Sequence, residues 1–97
     1  MSDAEAFMRG HAEKASTGRV AEILGDLTPD AMQQLMPMAA GLPNPATGYE
    51  VAPVSSSGDD HVFDVTYKGE GDKSATMRET VRQIDGTWRI VNVEKPA

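Results

Sequence analysis

Asp85-Gly86 sits between two stretches, about 73–84 and 87–94, in which apolar and polar residues alternate. Both central residues of a type I′ turn need positive φ, and aspartate followed by glycine accepts that conformation at low cost. The dipeptide therefore commits the end of the chain to a tight antiparallel hairpin. Two further strand patterns, about 48–55 and 61–68, precede it. Ser55-Ser56-Ser57-Gly58-Asp59-Asp60 separates these two, and Gly69-Glu70-Gly71 separates the second from the third. Short turns between successive strands predict an antiparallel meander.

The chain before Gly48 follows a different period. Ala4, Phe7, Met8, His11, Ala12 and Ala15 recur at i, i+3/i+4 and predict an amphipathic helix over 3–16. Gly18 suits its left-handed C-terminal position. A short helix over about 19–25 would bury Val20, Ile23 and Leu24, with Leu27 in the same core. Thr28-Pro29-Asp30 then opens a third helix: a capping hydroxyl, a proline at the first position and an acid at the positive dipole end. Met32, Leu35 and Met36 form its predicted apolar stripe, and Pro37 should break or kink it. Leu42-Pro43-Asn44-Pro45-Ala46-Thr47-Gly48 reads as an ordered loop. At 97 residues the chain is the size of one domain. The expected fold class is α+β: N-terminal helices (helical part 3–40) packed on a curved antiparallel four-stranded sheet (sheet part 48–95), cone-like in outline.

Turn lengths set the register. A two-residue turn at Asp85-Gly86 places Val81 opposite Ile90, Arg82 opposite Arg89 and Glu79 opposite Asn92. The Val81/Ile90/Trp88 side is the more apolar and should carry the helices. His61, Phe63, Val65 and Tyr67 must join that side. A three-residue loop, Gly69-Glu70-Gly71, with a bulge at Gly71 does so. A five-residue loop also preserves the faces and is the fallback. In the three-residue form His61, Glu79 and Asn92 make a polar row on an otherwise apolar face. A carboxylate beside an imidazole raises its pKa and orients one tautomer, and the amide could hold a carbonyl, so His61, Glu79 and Asn92 are the candidate catalytic residues. The alternative is a solvated rim beyond the cover of the helices.

The remaining features narrow the function. The formal net charge is −6, spread over both halves, with no basic stripe, so neither nucleic acid nor an anionic membrane is an expected partner. Without cysteine there is no thiolate catalysis, disulfide or thiolate metal site. No histidine–carboxylate spacing forms a metal motif, and neither metal nor cofactor is expected. The opening Met1-Ser2-Asp3-Ala4-Glu5 is acidic with no apolar run, so no secretory leader is expected and the anticipated location is cytoplasmic. Ser55-Ser56-Ser57 has no base placed by spacing and reads as a solvated turn. Met8, Met32, Met36, Met38 and Met77 could furnish an adaptable apolar pocket or fill gaps in a small core. On the outer sheet face Arg82 opposes Arg89, a like-charge pair that needs a carboxylate, from Asp64 or a partner. Thr66, Thr80, Val91 and Val93 give that face an uncharged centre.

Phe7 to Ala15, followed by Gly18, Val20, Ile23 and Leu24, resembles the opening helical pair of the nuclear transport factor 2-like superfamily. Asp85-Gly86-Thr87-Trp88-Arg89-Ile90-Val91 is similar to its final hairpin. The resemblance covers most of the chain and rests on loose apolar patterns around turns. It implies a conical pocket between the helices and the inner sheet face, with His11, Phe7, Met36, Phe63 and Trp88 as ligand-binding residues. It also implies a homodimer through the outer face, with Thr66, Thr80, Arg82, Arg89, Val91 and Val93 at the interface. The steroid isomerase branch uses an early-helix tyrosine, whereas the tyrosines here are Tyr49 and Tyr67, and the hairpin carrying its basic aspartate has no counterpart. The expected function is binding of a small apolar molecule or a protein partner without catalysis. The alternative is a general acid–base enzyme acting on a small hydrophobic carbonyl compound.

Overall fold

The computed structural model describes residues 2–43 and 46–96. Asn44 and Pro45 of the predicted loop, and the burial predicted for Val20, lie outside the described residues. The order is α1 (Asp3–Ser16), α2 (Val20–Leu24), α3 (Pro29–Ala39), β1 (Gly48–Ser57), β2 (Asp60–Lys68), β3 (Ser74–Ile84) and β4 (Thr87–Glu94). The strands form one antiparallel sheet in the order β1-β2-β3-β4, the predicted meander. The architecture is α+β, with the N-terminal helices packed on an open four-stranded sheet. No described helix is long and apolar enough to cross a membrane.

Local chemistry explains the helix ends. Ser2 Oγ accepts from the Glu5 amide (3.1 Å) and starts α1. Gly18, at φ 79°, ends it as the left-handed residue of a Schellman motif: Arg19 N donates to Lys14 O and Gly18 N to Ala15 O. Thr28 Oγ1 accepts from Ala31 N (3.2 Å) at the start of α3, with Pro29 in the first turn. Pro37 does not stop α3, which runs on to Ala39. Within the last turn proline removes a single helical bond, a cost that continued packing of Met38 offsets. The stripe of α3 is Ala31, Met32, Leu35 and Met38, and Met36 is 66% exposed. Gln34 sets this rotation by facing β4, where its side chain accepts from Val93 N (2.8 Å) and donates to Asn92 Oδ1 (2.9 Å).

The Asp85-Gly86 turn has both residues at positive φ (52° and 79°), the type I′ pattern, and Val81 pairs with Ile90 as predicted. Two registers differ from expectation. The β2–β3 connection is the five-residue form: Lys68 pairs with Ser74, Phe63 with Glu79 and His61 with Val81. Gly69 packs so closely on Pro43 that a Cβ there would lie 2.6 Å from the Pro43 Cβ, which anchors this longer loop. In β4 a bulge follows Ile90, so Thr80 pairs with Asn92 and Glu79 with Val93. The extra residue turns Asn92 outward and Val93 inward, where Val93 is 2% exposed. Val93 is therefore a core residue and not part of an outer-face interface.

Edge pairing explains the bulge. The segment Asp26–Thr28 adds to the free edge of β4: Ile90 N donates to Asp26 O (2.7 Å) and Thr28 N to Ile90 O (3.0 Å). With Gln34 holding Val93 N, both inward residues of β4 also find edge partners for their amides. This cover protects an edge that would otherwise template aggregation. Beneath α1 the core gathers Ala4, Met8, Ala12, Val51, Phe63, Val65, Tyr67, Met77, Val81, Ile90 and Val93.

Candidate functional site

The register determines where each candidate falls. His61, Glu79 and Asn92 do not form a row. Phe63 and Val93 flank Glu79, His61 lies beside Val81, and Asn92 points to the opposite face. His61 instead packs edge-on against Trp88, with ring centroids 5.6 Å apart. The expected ligand residues are also dispersed. His11 and Phe63 are buried, Phe7 and Trp88 pack half-buried against the core, and Met36 faces solvent.

A different polar cluster takes the place of the row. Glu79, 1% exposed, meets His11 beneath α1, with Glu79 Oε1 3.9 Å from His11 Nε2. His11 Nδ1 is 2.9 Å from Asp26 Oδ2, and Lys14 Nζ is 2.8 Å from the same oxygen. Lys14 and His11 are three residues apart on α1 and so share a face, while Asp26 comes from the segment that caps β4. A chain results, Lys14, Asp26, His11, Glu79, that runs from two half-buried groups to two buried ones. Glu79 Oε2 is buried with no hydrogen-bond partner.

Electrostatics sets the protonation states. Burial without a partner pushes the Glu79 carboxyl up to about 8, so it is mainly the neutral acid near pH 7. Burial holds the His11 imidazole below its ordinary value, and the bond and charge of Asp26 offset this only in part. The Tyr67 hydroxyl is raised by burial and by the charge Glu79 would carry. Asp26 therefore accepts from His11 Nδ1–H, and Nε2 turns its lone pair toward the Glu79 acid. A proton passing from Glu79 to His11 would leave the cluster's net charge unchanged. Among the described residues no group of three or more histidine, aspartate or glutamate side chains can hold a metal ion.

Strand register alone does not bring these four residues together. Histidine on the apolar face of α1 was legible in the sequence, but Asp26 carried no periodic signal, since it follows the Gly25 that closes α2. Four clefts on the described surface are lined without His11, Asp26 or Glu79.

The clefts lie elsewhere. His61 and Phe63 line one of about 380 Å³ with Ser2, Glu5 and Pro53 to Ser56. Thr80, Arg82, Val91 and Asn92 line one of about 460 Å³ on the outer face, with Asp30 and Asp60. A third, of about 390 Å³, lies between the C-terminal end of α3 and the start of β3. Met38, Leu42, Ala75 and Met77 line it together with Thr76, Lys95 and Pro96.

On the outer face each arginine has a partner within the chain. Arg82 forms a bidentate pair with Asp60 (2.6 and 3.0 Å) and Arg78 with Asp64 (2.9 and 3.1 Å), while Arg89 donates to the Gly25 carbonyl. The carboxylate for Arg82 is thus Asp60 and not Asp64, because the β2–β3 pairing sets Asp64 opposite Arg78 and brings Asp60 level with Arg82. Thr66 and Thr76, the next pair along the β2–β3 ladder beyond Asp64 and Arg78, hydrogen-bond each other (2.8 Å).

Comparison with protein-family models, with curated proteins and with solved structures finds no match to the chain.

Proposed function

We propose that the chain is a nuclear transport factor 2-like binding domain that takes up a small apolar molecule in the Met38–Leu42–Met77 cleft without catalysing a reaction on it. The observation that carries this reading is the lining of the cleft. Three large flexible or branched apolar side chains and Ala75 converge where α3 leaves the sheet, beside Thr76, Lys95 and Pro96. Its volume falls in the range of about 300–1,000 Å³ usual for small-molecule sites. Methionine suits such a surface because its unbranched thioether adapts to ligand shape. The acid–base alternative has its chemistry in Glu79 and His11, but those groups are sealed under α1 and touch none of the four clefts.

The binding test uses a neutral apolar dye, N-phenyl-1-naphthylamine. Its fluorescence is expected to rise with the native protein at micromolar concentration. Leu42→Gln should weaken binding about tenfold, as expected when roughly 1.4 kcal/mol of apolar contact is lost. Equal binding by native protein and variant would remove the cleft from the proposal.

The homodimer belongs to the same proposal. Support for it comes from an outer face whose charges are already paired within the chain, leaving Thr66, Thr76, Thr80 and Val91 to meet a second copy. Sedimentation velocity should give twice 10.4 kDa for the native chain. Thr80→Lys places an unpaired charge in the middle of that face and should shift the species to monomer. A native monomer at high concentration would end the dimer reading.

A further inference from the structure

The charges around the apolar cleft specify more than its apolar lining does. Of the nine lysines and arginines, most are occupied. Arg9 pairs with Glu5, Lys14 with Asp26, Arg19 with Glu22, Lys68 with Glu50, Arg78 with Asp64 and Arg82 with Asp60. Arg89 donates to the Gly25 carbonyl. Lys73 and Lys95 are the two left without an ion-pair or hydrogen-bond partner among the described residues. They are far apart in sequence, yet both border the same region. Lys95 lines the apolar cleft. Lys73 lines an adjoining one of about 340 Å³ with Gly41, Leu42, Pro43 and Ser74. Gly41 and Leu42 are common to the two, so the clefts form one groove past Leu42 with an unpaired ammonium in each part.

In a chain of net charge −6, carboxylates are in excess, and surface lysines find partners easily. Among the described residues that line the two clefts, Lys73 and Lys95 are the charged ones, so both charges presented beside this apolar surface are positive. A neutral apolar ligand makes no use of them. A ligand with an apolar body and a terminal anionic group uses both features at once: methylenes against Met38, Leu42 and Met77, and the anion against an ammonium at the rim.

We infer that the groove binds an anionic amphiphile, an acyl-type carboxylate, with its chain on Met38, Leu42 and Met77 and its head group on Lys73 or Lys95. This rests on the apolar-cleft reading above and adds the ligand's charge to it. No covalent step is involved. High salt is expected to weaken the head-group contact, because both ammoniums are at the surface.

The test compares decanoate with 1-decanol, which share a chain and differ in the head group, by isothermal titration calorimetry below the concentrations at which either aggregates. The native chain should bind decanoate about tenfold more tightly, the scale of one charge-assisted contact. The double variant Lys73→Gln/Lys95→Gln should bind decanoate only as well as decanol, with decanol affinity unchanged. Lys68→Gln, a lysine paired with Glu50, is the control for loss of a surface lysine outside the groove and should retain the preference. Equal binding of the two probes by the native chain overturns the anion inference and leaves the apolar cleft standing. Binding of neither overturns the cleft reading and this inference with it. A preference for decanoate that survives the double variant assigns the head group to another site and also overturns the inference.

Discussion

Glu79→Met is expected to stabilise the protein by about 3 kcal/mol at neutral pH and to flatten its alkaline stability profile. The carboxyl has a folded-state value of about 8 against an ordinary 4.5. A group whose folded value is raised binds its proton more tightly when folded. Its stability contribution is then complete below about pH 4.5 and is lost as the pH rises through about 8. Near pH 7 the loss has run for about 2.5 units, which at 1.36 kcal/mol per unit gives the figure above. Methionine has a similar shape, no charge and no orphaned oxygen, and replacing a buried charge by an apolar group of like volume is commonly stabilising. His11 Nε2 is 3.9 Å from Glu79 Oε1, beyond hydrogen-bond reach, and Oε2 has no partner, so the substitution breaks no hydrogen bond to His11. Urea denaturation between pH 5 and 9 measures the effect. A variant less stable than the native chain at pH 7 would mean that Glu79 is ionised and held by a protonated His11.

Val93→Asp is expected to cost roughly 4 kcal/mol, enough to unfold a domain of this size, because it buries an unpaired charge. Asn92→Val should cost no more than about 1 kcal/mol, the loss of two exposed bonds, one accepted from Gln34 and one donated to Glu94. The contrast discriminates sharply. In an unbulged hairpin Asn92 would face the core and Val93 would face out, reversing the ranking. Chemical denaturation of the two variants is sufficient, and comparable losses in both would refute the bulge after Ile90.

The part of the fold that was readable before the structure is the part decided within a few residues. The three helices, their caps at Thr28 and Gly18, the four strands and the Asp85-Gly86 turn all follow from local backbone preference and apolar period. The candidate site was less accessible because register errors propagate. One loop two residues longer than expected moves Glu79 from His61 to Phe63. One bulged residue moves Asn92 from the inner face to the outer. Nothing around Gly69 states that Pro43 will pack against it, and nothing in Ile90-Val91-Asn92-Val93 states that Asp26 and Gln34 will hold two of the four amides.

The sequence by itself thus determined an α+β chain with helices before a meander, one apolar sheet face and a buried histidine on the first helix, since short-range sterics and the periods of helix and strand are enough for these. Tertiary contacts decided which polar groups meet. The pairing of His11 with Asp26 and Glu79, the inward turn of Val93 and the meeting of Lys73 and Lys95 at one groove each depend on segments distant in the chain. Their positions are set by how the β4 edge is capped and how the sheet packs beneath α1, and no local pattern encodes that geometry.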